Sequence, residues 1–109
     1  MKIAVVGSRE INEINIEKYV TVNDEIVSGG ANGVDKIAAM YAIKNGIKLT
    51  EFLPKYNLYG RAAPIIRNKE IVDYADKVIV FWNGKSKGAL SVIEYAKKIG
   101  KQCEVVLDK

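Results

Sequence analysis

Residues 3–9 read IAVVGSR, an apolar run followed by Gly7, Ser8 and Arg9. An uninterrupted apolar run is typical of a parallel strand that is covered on both faces. Further strand-like segments follow near residues 25–27, 49–53, 78–82 and 103–107, and segments of helical period separate them. This alternation predicts an α/β fold with a parallel sheet.

The helical segments are predicted near residues 14–22, 34–45, 64–75 and 88–99. Pro64 suits a first helical turn, and Gly46 and Gly100 suit helix ends. Five strands and four helices fit a Rossmann-like three-layer α/β/α sandwich. Its doubly wound, five-stranded parallel sheet is predicted to have the strand order 3-2-1-4-5.

Length and composition limit what this chain can be. Its 109 residues suit one domain, residues 1–109, and 49% hydrophobic with 28% charged residues is a globular balance. No apolar run approaches the roughly 20 residues of a membrane span, and the amino terminus lacks a signal-peptide pattern. We therefore expect a cytoplasmic protein without a membrane partner.

Several chemistries are excluded by residue type. Cys103 is the sole cysteine and there is no histidine, which excludes an internal disulfide, the usual zinc sites and imidazole catalysis. We therefore predict no metal and no cofactor. Residues 53–109 carry 11 Lys/Arg against 6 Asp/Glu, whereas residues 1–52 carry 6 against 7. This asymmetry indicates an anionic ligand, such as a phosphate or a nucleic-acid strand.

The segment SGGANG, residues 28–33, directly precedes the second predicted helix. Glycine-rich loops at helix amino termini expose backbone amides to anions, so a phosphate site is predicted here. In the predicted sheet, the loops beginning at Gly7, Ser28 and Asn83 converge where the strand order reverses. The dinucleotide motif GxGxxG is absent because Gly7 stands alone, and a P-loop is absent because Ile79 occupies a required glycine position.

Four segments resemble the SLOG superfamily of Rossmann-like nucleotide-binding domains, which includes the LOG phosphoribohydrolases and DNA-processing protein A. They are VVGSR (5–9), SGGANGVD (28–35), RN (67–68) and DKVIVFW (76–82) leading into SKGA (86–89). The length and the later motifs are most similar to the small, stand-alone YspA-type branch, whose function is unknown. The resemblance covers nearly the whole chain and implies nucleotide binding.

One departure from that family bears on catalysis. The LOG loop reads PGGxGTxxE, and its glutamate acts together with an arginine in cleaving an N-glycosidic bond. On that pattern Gly88 and Ala89 match the Gly-Thr pair and Arg67 matches the arginine, but Val92 stands in place of the glutamate. We therefore predict no catalytic residue, with Asp35 and Arg67 as the candidates if the chain is an enzyme.

The predicted ligand-binding residues come from the converging loops and the resemblance. They are Gly7, Ser8, Arg9, Ser28, Gly29, Gly30, Ala31, Gly33, Asp35, Arg67, Asn68, Trp82, Ser86, Gly88 and Ala89. Structural roles are alternatives for several of them. The serines suit backbone capping, Asp35 suits bracing of the loop, and Arg67 suits an ion pair with Glu70 or Asp73.

Three functions follow from these observations. The favoured one is binding of a nucleotide or nucleotide-derived ligand at the carboxyl ends of the strands. One alternative is a nucleotide N-glycosidase that uses Asp35, and another is single-stranded nucleic-acid binding, suggested by the basic second half. From the family resemblance we also expect a homo-oligomer, a dimer or larger.

Overall fold

The computed structural model describes residues 1–107. Its strands are β1 (Lys2–Gly7), β2 (Glu25–Ser28), β3 (Lys48–Glu51), β4 (Lys77–Trp82) and β5 (Cys103–Leu107). Its helices are α1 (Val34–Lys44), the single turn α2 (Tyr56–Tyr59), α3 (Ala63–Tyr74) and α4 (Lys87–Ile99). All strand pairs are parallel, and the order β3-β2-β1-β4-β5 confirms the predicted sheet.

The sheet is covered on both faces, as the continuous apolar runs predict. Ile3 and Val5 of β1 pack on the side of α1, and the alternate residues Ala4 and Val6 pack on the side of α3 and α4. All four are at most 5% exposed. Since burying one Ile or Val side chain stabilises a fold by roughly 1.5–3 kcal/mol, this strand is central to the core.

Helix α4 is the clearest case of sequence setting local structure. The Ser86 hydroxyl caps its amino end by accepting from the Ala89 N–H at 3.3 Å. Its Ala89, Val92 and Ala96 form the buried stripe. Gly100 ends it in the left-handed conformation, φ 74°, which glycine adopts without a steric penalty.

The connection from β1 to β2 differs from its prediction. The helix predicted over residues 14–22 is wrong, since this stretch contains one 3₁₀ turn, Ile16–Lys18. Ile14, Ile16 and Val20 are β-branched and favour helices weakly, and no side chain caps the turn. Ile16 and Val20 are nonetheless buried against the sheet, so the segment covers the core as irregular chain.

The connection from β3 to α3 is longer than predicted because β3 ends at Glu51 instead of continuing to Leu53. It contains α2 and a 3₁₀ turn, Gly60–Ala62. Residues 55–62 are all exposed, Tyr56 and Tyr59 among them.

Within residues 1–107, no helix has the length and apolar content that crossing a bilayer requires.

Candidate functional site

The ends of β1 and β4 meet where the strand order reverses, and the backbone there is tightly packed. Gly7 pairs with Phe81, and the Ser8 N–H donates to the Phe81 carbonyl at 3.0 Å. A Cβ on Gly7 would lie 2.2 Å from that carbonyl oxygen and 2.7 Å from Val34 Cγ2. Gly7 is therefore required by close approach.

Two cavities open at this edge and share the residues between them. One, of about 100 Å³, is lined by Gly7, Arg9, Ala31, Arg67, Gly88 and Val92, among others. The other, of about 230 Å³, has walls that include Gly30, Pro54 and Tyr56. Since Arg9, Ala31 and Arg67 border both, the two cavities adjoin each other.

Asp35, in the first turn of α1, holds the glycine loop, residues 28–33, through hydrogen bonds. Its carboxylate accepts the N–H groups of Gly29 at 3.2 Å and Ala31 at 3.3 Å, and its side chain is buried. Burial raises the pKa of Asp35, while the Ala31 N–H and the charge of Arg67 oppose that rise. The Ser28 hydroxyl adds a bond to the Asp35 carbonyl at 3.3 Å.

Arg67, on α3, also holds the glycine loop through a hydrogen bond. Its guanidinium donates to the Gly29 carbonyl and, through Nε, to Asn68 Oδ1 at 2.9 Å. Burial lowers the pKa of Arg67, and the charge of Asp35 opposes that change. The ion pairs considered for Arg67 with Glu70 or Asp73 are not among the contacts within residues 1–107.

Gly29 is enclosed by these two charged side chains. A Cβ there would lie 2.6 Å from Arg67 Nη1 and 2.9 Å from Asp35 Oδ2. Two of the amides that sequence reasoning assigns to phosphate, those of Gly29 and Ala31, thus already donate to an internal carboxylate.

Asn68 links the braced loop to α4. Its Nδ2 donates to Ser91 Oγ at 3.0 Å and to the Gly88 carbonyl at 3.4 Å, while its Oδ1 accepts from Arg67. The role of Ser91 was not predicted, because the sequence gives no sign of this contact between helices.

The loop after β4 is held by its own polar groups. Asn83 Oδ1 accepts the N–H groups of Lys85 and Ser86, each at 2.9 Å, and the Asn83 N–H donates to Ser8 Oγ at 3.1 Å. The Trp82 indole N–H donates to the Ser86 carbonyl at 3.0 Å. A loop beginning at Asn83 was predicted, but the convergence of these bonds on the Asn83 side chain was not.

Both loops have amides without a partner among the described residues, those of Gly30, Asn32 and Gly33 included, but at the start of α4 no carboxylate accepts a neighbouring amide. Within residues 1–107, the amides of Lys87 and Gly88 have no hydrogen-bond partner, whereas those of Ala89 and Leu90 donate to Ser86. The first amides of a helix carry partial positive charge, so this helix end favours an anion. Gly88 and Ala89 line the smaller cavity beside it.

The structure brings most of the predicted residues to the two cavities but not all. Besides those already placed, Asp35, Asn68 and Ser86 border the smaller cavity and Gly29 the larger one. Four do not border either cavity: Ser8, Ser28, Gly33 and Trp82. Both serines bond backbone groups, and Gly33 lies at φ 74° against the Arg9 backbone, so these residues shape the loops.

The cavity wall has few groups for acid–base chemistry. Val92, at the position of the LOG glutamate, is buried in the wall of the smaller cavity. Among the described wall residues of the two cavities, Asp35 is the one carboxylate. Within residues 1–107, no three Asp, Glu or Cys side chains are grouped as a metal ion would need. The arrangement suits binding of an anion by cations and amides.

No model of a known protein family matches this chain, and searches of curated proteins and of solved structures returned no match. What the site can bind is therefore inferred from its geometry and charge.

Proposed function

We propose that this chain binds a nucleotide or a nucleotide-derived ligand, with a phosphate at the amino end of α4. The supporting observation is the pair of free amides at Lys87 and Gly88 beside a cavity that also contains Arg9 and Arg67. Helix amides and guanidinium groups both favour phosphate oxygens, and the two kinds of donor meet here within one cavity.

This placement sets the phosphate away from the glycine loop, although the loop's sequence first suggests it. The Asp35 carboxylate already accepts two of the loop amides, so a phosphate there would have to displace an anion from its own donors. At α4 no such competitor exists among the described residues.

The larger cavity supports a nucleotide over free phosphate. It adjoins the smaller one, and Pro54 and the exposed Tyr56 stand at its rim. A base placed there can stack on the tyrosine ring, a contact that is worth roughly 1–3 kcal/mol per base. A nucleotide with its phosphate at α4 and its base near Tyr56 would extend past Arg9 and Arg67, which border both cavities.

Membership of the SLOG superfamily belongs to the same proposal. The four segments that carry the resemblance contribute Arg9, Ala31, Arg67 and Gly88 to the two cavities. That clustering is what a shared nucleotide site would require.

A thermal-shift panel tests the proposal, using nucleoside mono- and diphosphates, ADP-ribose, NAD and cyclic dinucleotides. A ligand at 100 times its Kd adds about 2.7 kcal/mol to native stability, which is readily measured. Gly88→Asp should abolish the shift because it places an anion at the phosphate position. A Cβ on Gly88 meets nothing nearer than Ser86 Oγ at 3.9 Å, so the fold should tolerate the change.

Gly88→Ala is the matched control, since it adds a methyl group without charge and should keep the ligand-induced shift. A shift that persists in Gly88→Asp would overturn the assignment of the phosphate to α4. No shift with any nucleotide in the wild type would overturn the proposal itself.

The N-glycosidase alternative has weaker support. Its one available carboxylate, Asp35, already accepts two N–H groups and is 5% exposed. Release of free base from a nucleoside monophosphate, lost in Asp35→Asn while Gly88→Ala retains it, would establish the enzyme.

Single-stranded nucleic-acid binding is favoured by one separate observation. Residues 52–69 carry four cations, Lys55, Arg61, Arg67 and Lys69, and no acid, and Tyr56 and Tyr59 are exposed among them. Affinity for a labelled oligothymidylate should then fall with salt. The slope of log K against log salt should shrink by roughly 0.7 for each cation removed, so by about 1.4 for Lys55→Ala with Arg61→Ala.

A further inference from the structure

The two edges of the sheet differ in how they are protected. The edge strand β3 begins and ends with charged residues, and Lys48 forms an ion pair with Glu25 at 3.3 Å. The other edge strand, β5, ends in three apolar residues, of which Val105 is 40% and Leu107 58% exposed. Charged side chains keep edge strands from pairing with other chains, and the end of β5 lacks them.

The backbone of β5 also has unpaired groups on its outer side. The Val78 N–H of β4 donates to the Gln102 carbonyl at 2.9 Å, and Val78 is in register with Cys103. In a parallel ladder the residues that bond the neighbour alternate with those that do not. The N–H and C=O groups of Cys103, Val105 and Leu107 therefore point away from β4, and no strand within residues 1–107 pairs with them.

A groove with a mixed polar and apolar wall continues from this edge onto the face of the sheet. Its volume is about 290 Å³. Its wall combines the polar residues Glu13, Asn15 and Lys18 with the apolar or aromatic residues Ile11, Ile14, Tyr19, Phe81, Val106 and Leu107. The irregular connection from β1 to β2 forms one wall of this groove, and β4 and β5 form the other.

We propose that β5 pairs antiparallel with β5 of a second copy of this chain, about a two-fold axis at Val105. The axis at the middle of the strand places Val105 opposite itself and Cys103 opposite Leu107. Each outward N–H then meets an outward C=O, which joins the two five-stranded sheets into one. The same contact covers the apolar end of the groove.

Charge favours a second copy at this edge over the exposed apolar residues of the segment 52–69. Residues 103–107 contain one charged side chain, Glu104, and Lys77 lies 3.9 Å from it. Self-pairing of β5 therefore brings together nearly neutral surfaces. Residues 52–69 also expose Leu58 and Ile65, but their four cations would face like charges across a two-fold axis.

Light scattering coupled to size exclusion tests this interface. The wild type should have a mass of twice 12.1 kDa, and Val105→Lys should have 12.1 kDa, because a charge on the edge prevents strand pairing. Val105→Thr is the matched control: it keeps the branched, strand-favouring shape without charge and should remain a dimer. Far-UV circular dichroism of Val105→Lys verifies that the fold persists.

Leu58→Lys distinguishes the β5 interface from an interface at residues 52–69, because it places the same charge in that segment. It should leave the dimer intact, and loss of the dimer in this variant would overturn the proposal. A wild type that remains monomeric at about 100 μM, where even weak specific interfaces form, would overturn it without any variant. In the wild type, the amides of Val105 and Leu107 should exchange slowly, and rapid exchange would also contradict the pairing.

Discussion

The loop after β2 and the loop after β4 lie at the same edge of the sheet, yet their backbone amides donate to different acceptors. Residues 28–33 are rich in glycine, and the charged side chains of Asp35 and Arg67 bond the backbone of Gly29 and Ala31. Residues 83–88 hold themselves through Asn83 and leave the amides of Lys87 and Gly88 free.

The difference shows that a glycine-rich loop at a helix start is not by itself an anion site. What matters is whether the amides still lack an acceptor once the chain has folded. Here two amides of the loop with more glycines already have a carboxylate acceptor, whereas no carboxylate accepts the amides of the loop with fewer. Substitutions that affect stability should therefore concentrate at the first loop, and those that affect binding at the second.

The largest effect is expected from Asp35→Ala. It leaves two N–H groups without their acceptor and a buried guanidinium without its nearby anion, so the free energy of unfolding should fall by about 3 kcal/mol. Urea denaturation measures this. Asp35→Asn keeps an acceptor oxygen and should lose less, and an equal loss in both variants would contradict the bracing role.

Two glycine-to-alanine substitutions compare the loops directly. Gly29→Ala should destabilise by about 2 kcal/mol, because the new methyl group collides with Arg67 and Asp35. Gly88→Ala has open space and lies in a helix, so it should be neutral or stabilising by about 0.5 kcal/mol. Thermal unfolding of the two variants side by side would refute the contrast if their midpoints fell together.

Arg67→Lys is expected to have a smaller effect on stability. An ammonium group cannot reproduce the planar guanidinium that reaches both Gly29 and Asn68, so about 1 kcal/mol should be lost. If Arg67 also contacts the phosphate, ligand affinity should fall more than stability does. Calorimetric titration with the nucleotide found in the panel measures that, and unchanged affinity would confine Arg67 to bracing.

The smallest effects concern pH, and two buried carboxylates should act with opposite signs. Burial raises the pKa of Asp35 above its usual 3.8, so its contribution to stability should decrease as the pH rises through the folded pKa. For Glu25, burial acts to raise the pKa, but hydrogen bonds from Tyr74, Thr50 and Lys48 outweigh it and the pKa lies below 4.5. The stability that Glu25 contributes should therefore be lost as the pH falls through that value.

Unfolding free energies of the wild type, Asp35→Asn and Glu25→Gln between about pH 3 and pH 7 measure both signs. The free energy of unfolding of the wild type, relative to that of Glu25→Gln, should increase toward neutral pH. Relative to that of Asp35→Asn, it should decrease over the same range. If the two differences in unfolding free energy changed in the same direction with pH, the predicted opposite signs would be refuted.

Much of the fold was predictable because its strands are continuous apolar runs and its later helices have clear ends. Ser86 and Gly100 delimit α4, and Gly46 follows α1 closely. The segment at residues 14–22 was not predictable in the same way. Its apolar spacing resembles a helix, but its β-branched residues and missing cap left tertiary packing to decide the outcome.

The convergence of the loops was predictable from the sequence, but the contacts between their side chains were not. Strand order placed the converging loops correctly, and Asp35 was foreseen as a possible brace. That Asp35 takes the amides of Gly29 and Ala31, or that Asn68 reaches Ser91, depends on side chains from different elements meeting in space. Spacing along the chain does not encode such distances.

The uninterrupted exposure of residues 55–62 has a further consequence. Lys55, Tyr56, Tyr59 and Arg61 all lie there, so trypsin and chymotrypsin should both cleave the native protein in this segment first. The cut would separate β1, β2 and β3 from β4 and β5, while the β1–β4 pairing still holds the halves together. The segment is thus where the gene could be divided into two co-expressed fragments that reassemble.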